Sequence, residues 1–280
     1  QPLIDAEEIN LRLEAVEELT QKPMLRDEIR EYLNPIYDLE RLISRISYQS
    51  ANPRDMVAFA SSLEMIPYIR QILQEFEAPI LKQIFEDMDP LEDVTDLIKR
   101  AITDEPPLAQ KDGGIIREGY NADVDKYRRS RTDGKKWLAE LEAREKERTG
   151  IKTLKIKYSR VFGYALEVTN SFKDQVPDNY VRKQTLTNAE RYITQELKDL
   201  EDLILGAEDR LYALEYELFA DVRDKVGKEV VRIQKTAKAI AALDVFASLA
   251  LVAERNNFVR PKINENGVLD IKNGRHPVVD

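Results

Sequence analysis

The chain contains no cysteine, so disulfides and thiolate metal centres are excluded, and the absence fits a reducing compartment. Its single histidine, His276, rules out a His-based metal cluster and offers a His-dependent triad only near the last residue. Neither a GxxxxGKS/T phosphate loop nor a GxGxxG turn occurs. No apolar run reaches the roughly 18 residues that a bilayer-spanning helix needs. The first residues, QPLIDAEEIN, lack the basic and apolar regions of a signal peptide. Glycine is scarce, at 10 of 280 residues, and 34% of the chain is charged, a balance that favours long helices over sheets. Acidic pairs such as Glu7-Glu8 and Glu17-Glu18 read as solvated helix faces rather than catalytic dyads. The expectation is a cytoplasmic, non-membrane chain with no catalytic residues, metal or cofactor of its own.

What is present is a local reversal of charge. The chain carries a net charge of −9, yet Ile151 to Thr194 holds eight basic and four acidic residues, a net of +4, which leaves −13 elsewhere. A small basic module on an acidic body points to an anion-binding tip, with DNA phosphate as the leading candidate. The competing reading is that Lys155, Lys157, Arg182 and Lys183 decorate the solvent face of a small sheet, as lysines on edge strands do.

Residues 3 to about 103 read as helices separated by turns. Ile9, Leu13, Val16 and Leu19 mark one apolar face, and Val57, Leu63, Ile66, Ile69, Leu73 and Phe76 another. Asn34-Pro35, Asn52-Pro53 and Asp89-Pro90 each combine a capping residue with proline and predict three helix starts. Thr103 to Gly114 is a loop. A long helix then starts at the cap Asn121 and ends at Thr149 before Gly150, about 28 residues and roughly 42 Å. Arg131 and Gly134 interrupt its apolar face. The basic run Lys126, Arg128, Arg129, Arg131, Lys135 and Lys136 reads as a solvated face able to pair with a returning arm.

Residues 153–169 alternate with period two around a hairpin at Ser159 to Gly163, and a third strand is predicted over Tyr180 to Thr187. From Ile193 through Leu197, Leu200, Ile204, Ala207, Leu211, Leu214 and Leu218 the spacing becomes that of heptads, until Gly227 breaks it. A further helix runs from Lys228 to about Asn257. The fold class is mainly α, a helical core with two long antiparallel lever helices and a small inserted antiparallel β-rich clamp at their tip. The divisions are 1–120 and 227–260 for the core, 121–150 and 195–226 for the levers, 151–194 for the clamp and 261–280 for the first strands of a truncated domain. The abrupt start at Gln1-Pro2 and the strand-like Pro277-Val278-Val279 suggest a piece of a longer chain.

The runs YNADVDKYRR, LKIKYSRVFGYALEVTNSF, YVRKQTLTNAERYITQELKDLEDLIL and GRHPVVD resemble the MutS family of bacterial DNA mismatch-repair proteins. The resemblance covers essentially the whole chain. It implies the middle of such a subunit, without the mismatch-reading and connector domains and without most of the ATPase domain, so that ATP and Mg belong to the full-length protein alone. It also implies duplex DNA as partner, a second subunit in the full-length form, and a nucleoid-associated location. Arg182, Lys183, Thr185, Asn188 and Arg191, in RKQTLTNAER, inherit a sequence-independent backbone-contact role, and Lys155, Lys157 and Arg160 are further candidates. Gly113, Gly114, Gly206 and Gly227 are candidate hinges. The alternative reading is a helical-arm module whose heptad face binds a protein partner.

Overall fold

A computed structural model describes residues 2–36, 38–108, 113–276 and 278–279. These fold as two units, Gln1–Leu108 with Ala220–Asp280, and Ala109–Phe219.

The first unit comprises α1 (Ala6–Gln21), α2 (Pro23–Leu33), α3 (Leu39–Ser47), α4 (Pro53–Leu63), α5 (Ile66–Leu73), α6 (Pro79–Asp87), α7 (Glu92–Ala101) and, late in the chain, α10 (Val230–Arg255). Of the three predicted starts, Asn52-Pro53 opens α4 with a reciprocal capping box between Asn52 and Asp55. Asn34 instead closes α2, and α3 starts at Leu39 with Asp38 as its cap. At the third, Asp89 binds the backbone N–H of Leu91, and α7 begins at Glu92. The apolar run Val57 to Phe76 is split between two helices, since Pro67 cannot supply the N–H that a continuous helix needs. By length and composition α10 could cross a membrane, but it serves as a core helix. Ile233, Ala237, Ile240, Leu243, Ala247 and Ala250 are buried, and it packs on α1, α2, α3 and α6.

The second unit is built on α8 (Ala122–Thr149) and the first part of α9 (Gln195–Lys228), with four strands between them: β1 (Lys155–Ser159), β2 (Gly163–Thr169), β3 (Val181–Thr185) and β4 (Ala189–Ile193). Asn121 caps α8 by accepting from the N–H groups of Asp123 and Val124, and Gly150 ends it in the left-handed region at φ 73°. Pairs across the two helices run in opposite order: Arg128 with Glu215, Arg131 with Glu208 and Arg144 with Glu196. The helices are therefore antiparallel, and two residues of the basic run of α8, Arg128 and Arg131, are met by acidic residues of α9. Gly134 does not interrupt the packing face of α8, because it is buried against Ile204, where a β-carbon would lie 2.5 Å from Cγ1. The heptads are filled from within the chain: Leu197 and Ile204 share a buried cluster with Leu138 and Leu141 of α8 and with Leu166, Val168 and Tyr192 of the sheet.

Two expectations are corrected. Gly227 does not break the heptad helix; α9 continues through it to Lys228, anchored by Val222 and Val226, which are buried. Ile193, the first position in phase with the heptads, ends β4, and α9 starts at Gln195. No strand forms among the described residues beyond Arg255; Val259, Leu269 and Ile271 stay exposed, with no neighbouring ladder to pair with, and Pro277 lies outside the described residues. Part of the predicted loop, 109–112, also lies outside them.

Candidate nucleic-acid interface

The four strands form one antiparallel sheet in the order β1-β2-β4-β3. One face carries Ile156, Leu166, Val168 and Tyr192 into the core shared with α8 and α9. On the other face the register aligns Lys155, Glu167, Arg191 and Gln184 across all four strands. Glu167, at the centre of this row, binds Lys157 and Arg191, each at 2.9 Å, and Arg191 also donates to Gln184 at 3.1 Å. Burial raises the Glu167 pKa, but hydrogen bonds from Lys157 and Arg191 outweigh it and hold the carboxyl below its ordinary value.

The root of β3 is tied to α8. Tyr180 donates to Glu145 at 2.5 Å, and Arg148 grips the same carboxylate through two bonds of 2.8 and 3.0 Å. The Arg148 bonds pull the Glu145 pKa down against the opposing effect of burial. Glu142 accepts the outward N–H of Ile156 at 2.8 Å, which blocks a pairing position on the edge strand β1. At the hairpin between β1 and β2, Gly163 has φ 73°, and a β-carbon would collide with Glu201 of α9, 1.9 Å from Oε1. The left-handed backbone there favours glycine, and a larger residue would also force the Glu201 carboxylate to withdraw.

The far end of the sheet collects polar groups from segments distant in sequence. The Thr153 and Thr169 hydroxyls are 2.8 Å apart, and those of Thr169 and Ser171 are 3.1 Å apart. Asn170, which opens a 3-10 turn at Asn170–Gln175, donates its N–H to Asn188 O and its side-chain amide to Thr187 O, both at 3.1 Å. None of these bonds involves a carboxylate. Lys152, Thr153, Asn170, Ser171, Lys173, Thr185, Thr187 and Asn188 are all exposed here or beside it.

The sequence candidates separate into groups. Thr185 and Asn188 are exposed at this far end, flanking the turn between β3 and β4. Lys183 sits where the β3–β4 register slips between Arg182 and Gln184, a bulge that re-aims the strand, and it makes no ion pair among the described residues. Arg182 has a 64% exposed side chain and reaches Glu190 only at 3.7 Å. Lys155 is exposed and likewise without an ion pair among the described residues. Arg191 does not join them: its side chain is 19% exposed and committed to Glu167 and Gln184. Lys157 is half exposed on Glu167. Arg160, in the β1–β2 turn, lies at the opposite end of the sheet from Asn188, about 20 Å away along β2. Thr153, Thr169, Asn170, Ser171, Lys152 and Lys173 are residues that sequence reasoning missed, because only the strand register brings three separate segments together.

Among the glycines, Gly113 and Gly114 have positive φ, with the Gly114 N–H held by Glu215 at 2.8 Å, while Gly206 and Gly227 lie inside α9.

The family model described as MutS domain III matches residues 1–250. The DNA mismatch repair protein MutS of Lachnoclostridium phytofermentans is 62% identical over 280 residues, which is all of this chain and 30% of that protein. Its counterparts from Caldanaerobacter subterraneus and Acetivibrio thermocellus are 53% and 49% identical, again over the whole chain and 32% of each protein. The chain thus spans about a third of the length of the curated relatives it matches.

Proposed function

Since the chain belongs to the MutS family, which its domain III match over residues 1–250 shows, we propose that it is the DNA-clamping scaffold of a mismatch-repair protein. The sheet makes sequence-independent contacts to the duplex backbone, and α8 and α9 couple it to an ATPase domain that lies outside this chain. ATP, Mg and a second subunit belong to the longer protein, whose setting is cytoplasmic.

The observation that carries this reading is the far end of the sheet. It offers hydroxyls, amides and ammonium groups with few committed carboxylates, the types that contact phosphate and sugar without reading bases. Lys152 and Lys173 supply exposed charge there, Lys183 and Arg182 supply it farther back along β3, and Thr153, Ser171, Thr185 and Asn188 supply neutral donors. Arg191 is better cast as the residue that holds the outer face of the sheet together. The alternative, a protein partner on the heptad face, has less support because Leu197 and Ile204 are already buried against α8.

Fluorescence anisotropy on a short perfect duplex across a salt series tests the reading. Two to four phosphate contacts give a log–log slope of about −2 to −4 and a Kd of roughly 10⁻⁴ to 10⁻⁶ M near physiological salt. Charge reversal at Arg182 and Lys183 is expected to erase binding; unchanged binding by that variant would refute the assignment.

A further inference from the structure

We propose that α8 carries a second anion site, outside the sheet, that binds a phosphate group. Arg128, Arg131, Thr132 and Lys135 follow one another at helical spacings of three, one and three, which puts them on one face. With Gly114 and Leu211 they line a cavity of about 430 Å³.

The charges that the described residues place around this cavity do not cancel. Arg128 satisfies Ile116 O and Glu215 through the same nitrogen, Nη2, leaving Nε and Nη1 without a partner among the described residues. Arg131 reaches Glu208 only through Nη2, at 3.3 Å, and that carboxylate oxygen also accepts the Tyr212 hydroxyl at 2.5 Å. Lys135 is exposed and makes no ion pair among the described residues. Of the carboxylates close by, Glu215 is fully buried and bound by the N–H groups of Gly114 and Ile116 at 2.8 and 3.2 Å as well as by Arg128. Glu215 is thus saturated from behind, whereas Glu208 is met at Oε1 alone, by Arg131 and Tyr212, and each carboxylate orients one guanidinium group. Among the described residues named here, three cations against two carboxylates leave one positive charge in excess, together with several planar donors lacking acceptors. A tetrahedral phosphate oxyanion supplies the missing acceptors and matches the guanidinium fork. The Thr132 hydroxyl takes no part, being donated to Arg128 O at 3.1 Å.

Two sources share this chemistry, a small phosphorylated molecule and a nucleic-acid backbone. Calorimetry with inorganic pyrophosphate and anisotropy with the duplex, run on the whole chain, distinguish them. R131Q/K135Q is expected to weaken pyrophosphate binding at least about tenfold, while R182E/K183E leaves it unchanged. If duplex affinity also falls in R131Q/K135Q, the occupant is a backbone phosphate; if only pyrophosphate binding falls, it is a small phosphorylated molecule. The site is overturned if pyrophosphate does not bind, or binds R131Q/K135Q as well as it binds the parent chain. K135Q alone, at an exposed and unpaired side chain, carries the same test should the loss of Arg131 disturb folding. The clamp assignment fails by a different result, unchanged duplex binding in R182E/K183E.

Discussion

Gly134 of α8 meets Ile204 of α9 with no space for a side chain between them: a β-carbon would come within 2.5 Å of Cγ1 and 3.1 Å of Cδ1. A glycine inside a helix ordinarily costs about 1 kcal/mol relative to alanine. Here overpacking, typically about 1–3 kcal/mol, opposes that gain. Gly134→Ala is therefore expected to destabilise by up to about 2 kcal/mol, read from urea denaturation. In an Ile204→Ala background the space exists, so the same substitution should turn stabilising. Additive effects of the two changes would show that the contact is not the reason for the glycine.

Much of the second unit was legible in the sequence, and this position shows where legibility stopped. The caps of α8 at Asn121 and Gly150 are local chemistry, and they read correctly. The hairpin at Ser159 to Gly163 was equally local. Gly134 looked like an interruption because its value lies in a residue 70 positions away on another helix. The strand Ala189–Ile193 was missed for a related reason. Its outer face holds Arg191 against Glu167, so a buried strand carries charge on a half-covered side, and Ile193 falls in phase with the heptads that follow. Of the candidate site, residue types were readable but partnership was not. Arg182 and Arg191 have the same chemistry in sequence, and only the register tells the exposed one from the committed one.

That distinction makes a paired prediction. Lys183→Gln is expected to reduce the salt slope of duplex binding by about 1, with a stability change within about 0.5 kcal/mol. Arg191→Gln leaves the partly buried Glu167 with one cation fewer and should lower stability by about 1–2 kcal/mol. A destabilised Lys183 variant, or a fully stable Arg191 variant, would contradict the separation.

Glu215 anchors residues 114–116 with both carboxylate oxygens while fully buried beside Arg128. Glu215→Ala strands a guanidinium and two N–H groups, a loss of about 3–5 kcal/mol. Glu215→Gln keeps one acceptor and should lose less. Amide exchange reports it directly: the N–H groups of Gly114 and Ile116 should lose protection before those of α8. Unaltered exchange at both would mean that the carboxylate does not hold this segment.

Acid sensitivity follows from Glu167 and Glu145, both held below the ordinary 4.5. A carboxyl with a depressed folded pKa adds stability above its unfolded value and loses it as pH falls through the folded one. Stability should therefore decline below about pH 4.5, and Glu167→Gln should be less stable at neutral pH yet show a flatter acid limb. The alkaline side works in reverse. Burial, and then the hydrogen bond to Glu190, push Tyr192 up from 10.0 to about 12. Its contribution is complete below pH 10 and is lost as pH rises through about 12, so Tyr192→Phe should flatten that limb.

The hydroxyls at the far end of the sheet separate charge from shape in the proposed DNA contact. Thr169 links the Thr153 and Ser171 hydroxyls, and Ser171 is exposed next to Asn170. A neutral donor to a phosphate adds a hydrogen bond without releasing an additional counterion, whereas a lysine does both. Ser171→Ala and Thr153→Val should each weaken duplex binding, by roughly 0.5–1.5 kcal/mol, at every salt concentration. The log–log plot then shifts downward without changing slope. Loss of Lys152 or Lys173 charge should shift it and flatten it. If the hydroxyl variants flatten the slope as the lysine variants do, the effect comes from displacement of the neighbouring ammonium groups. If they leave affinity unchanged while the lysine variants weaken it, contact at this end is made by charge alone and the hydroxyl chain serves only to hold the loops.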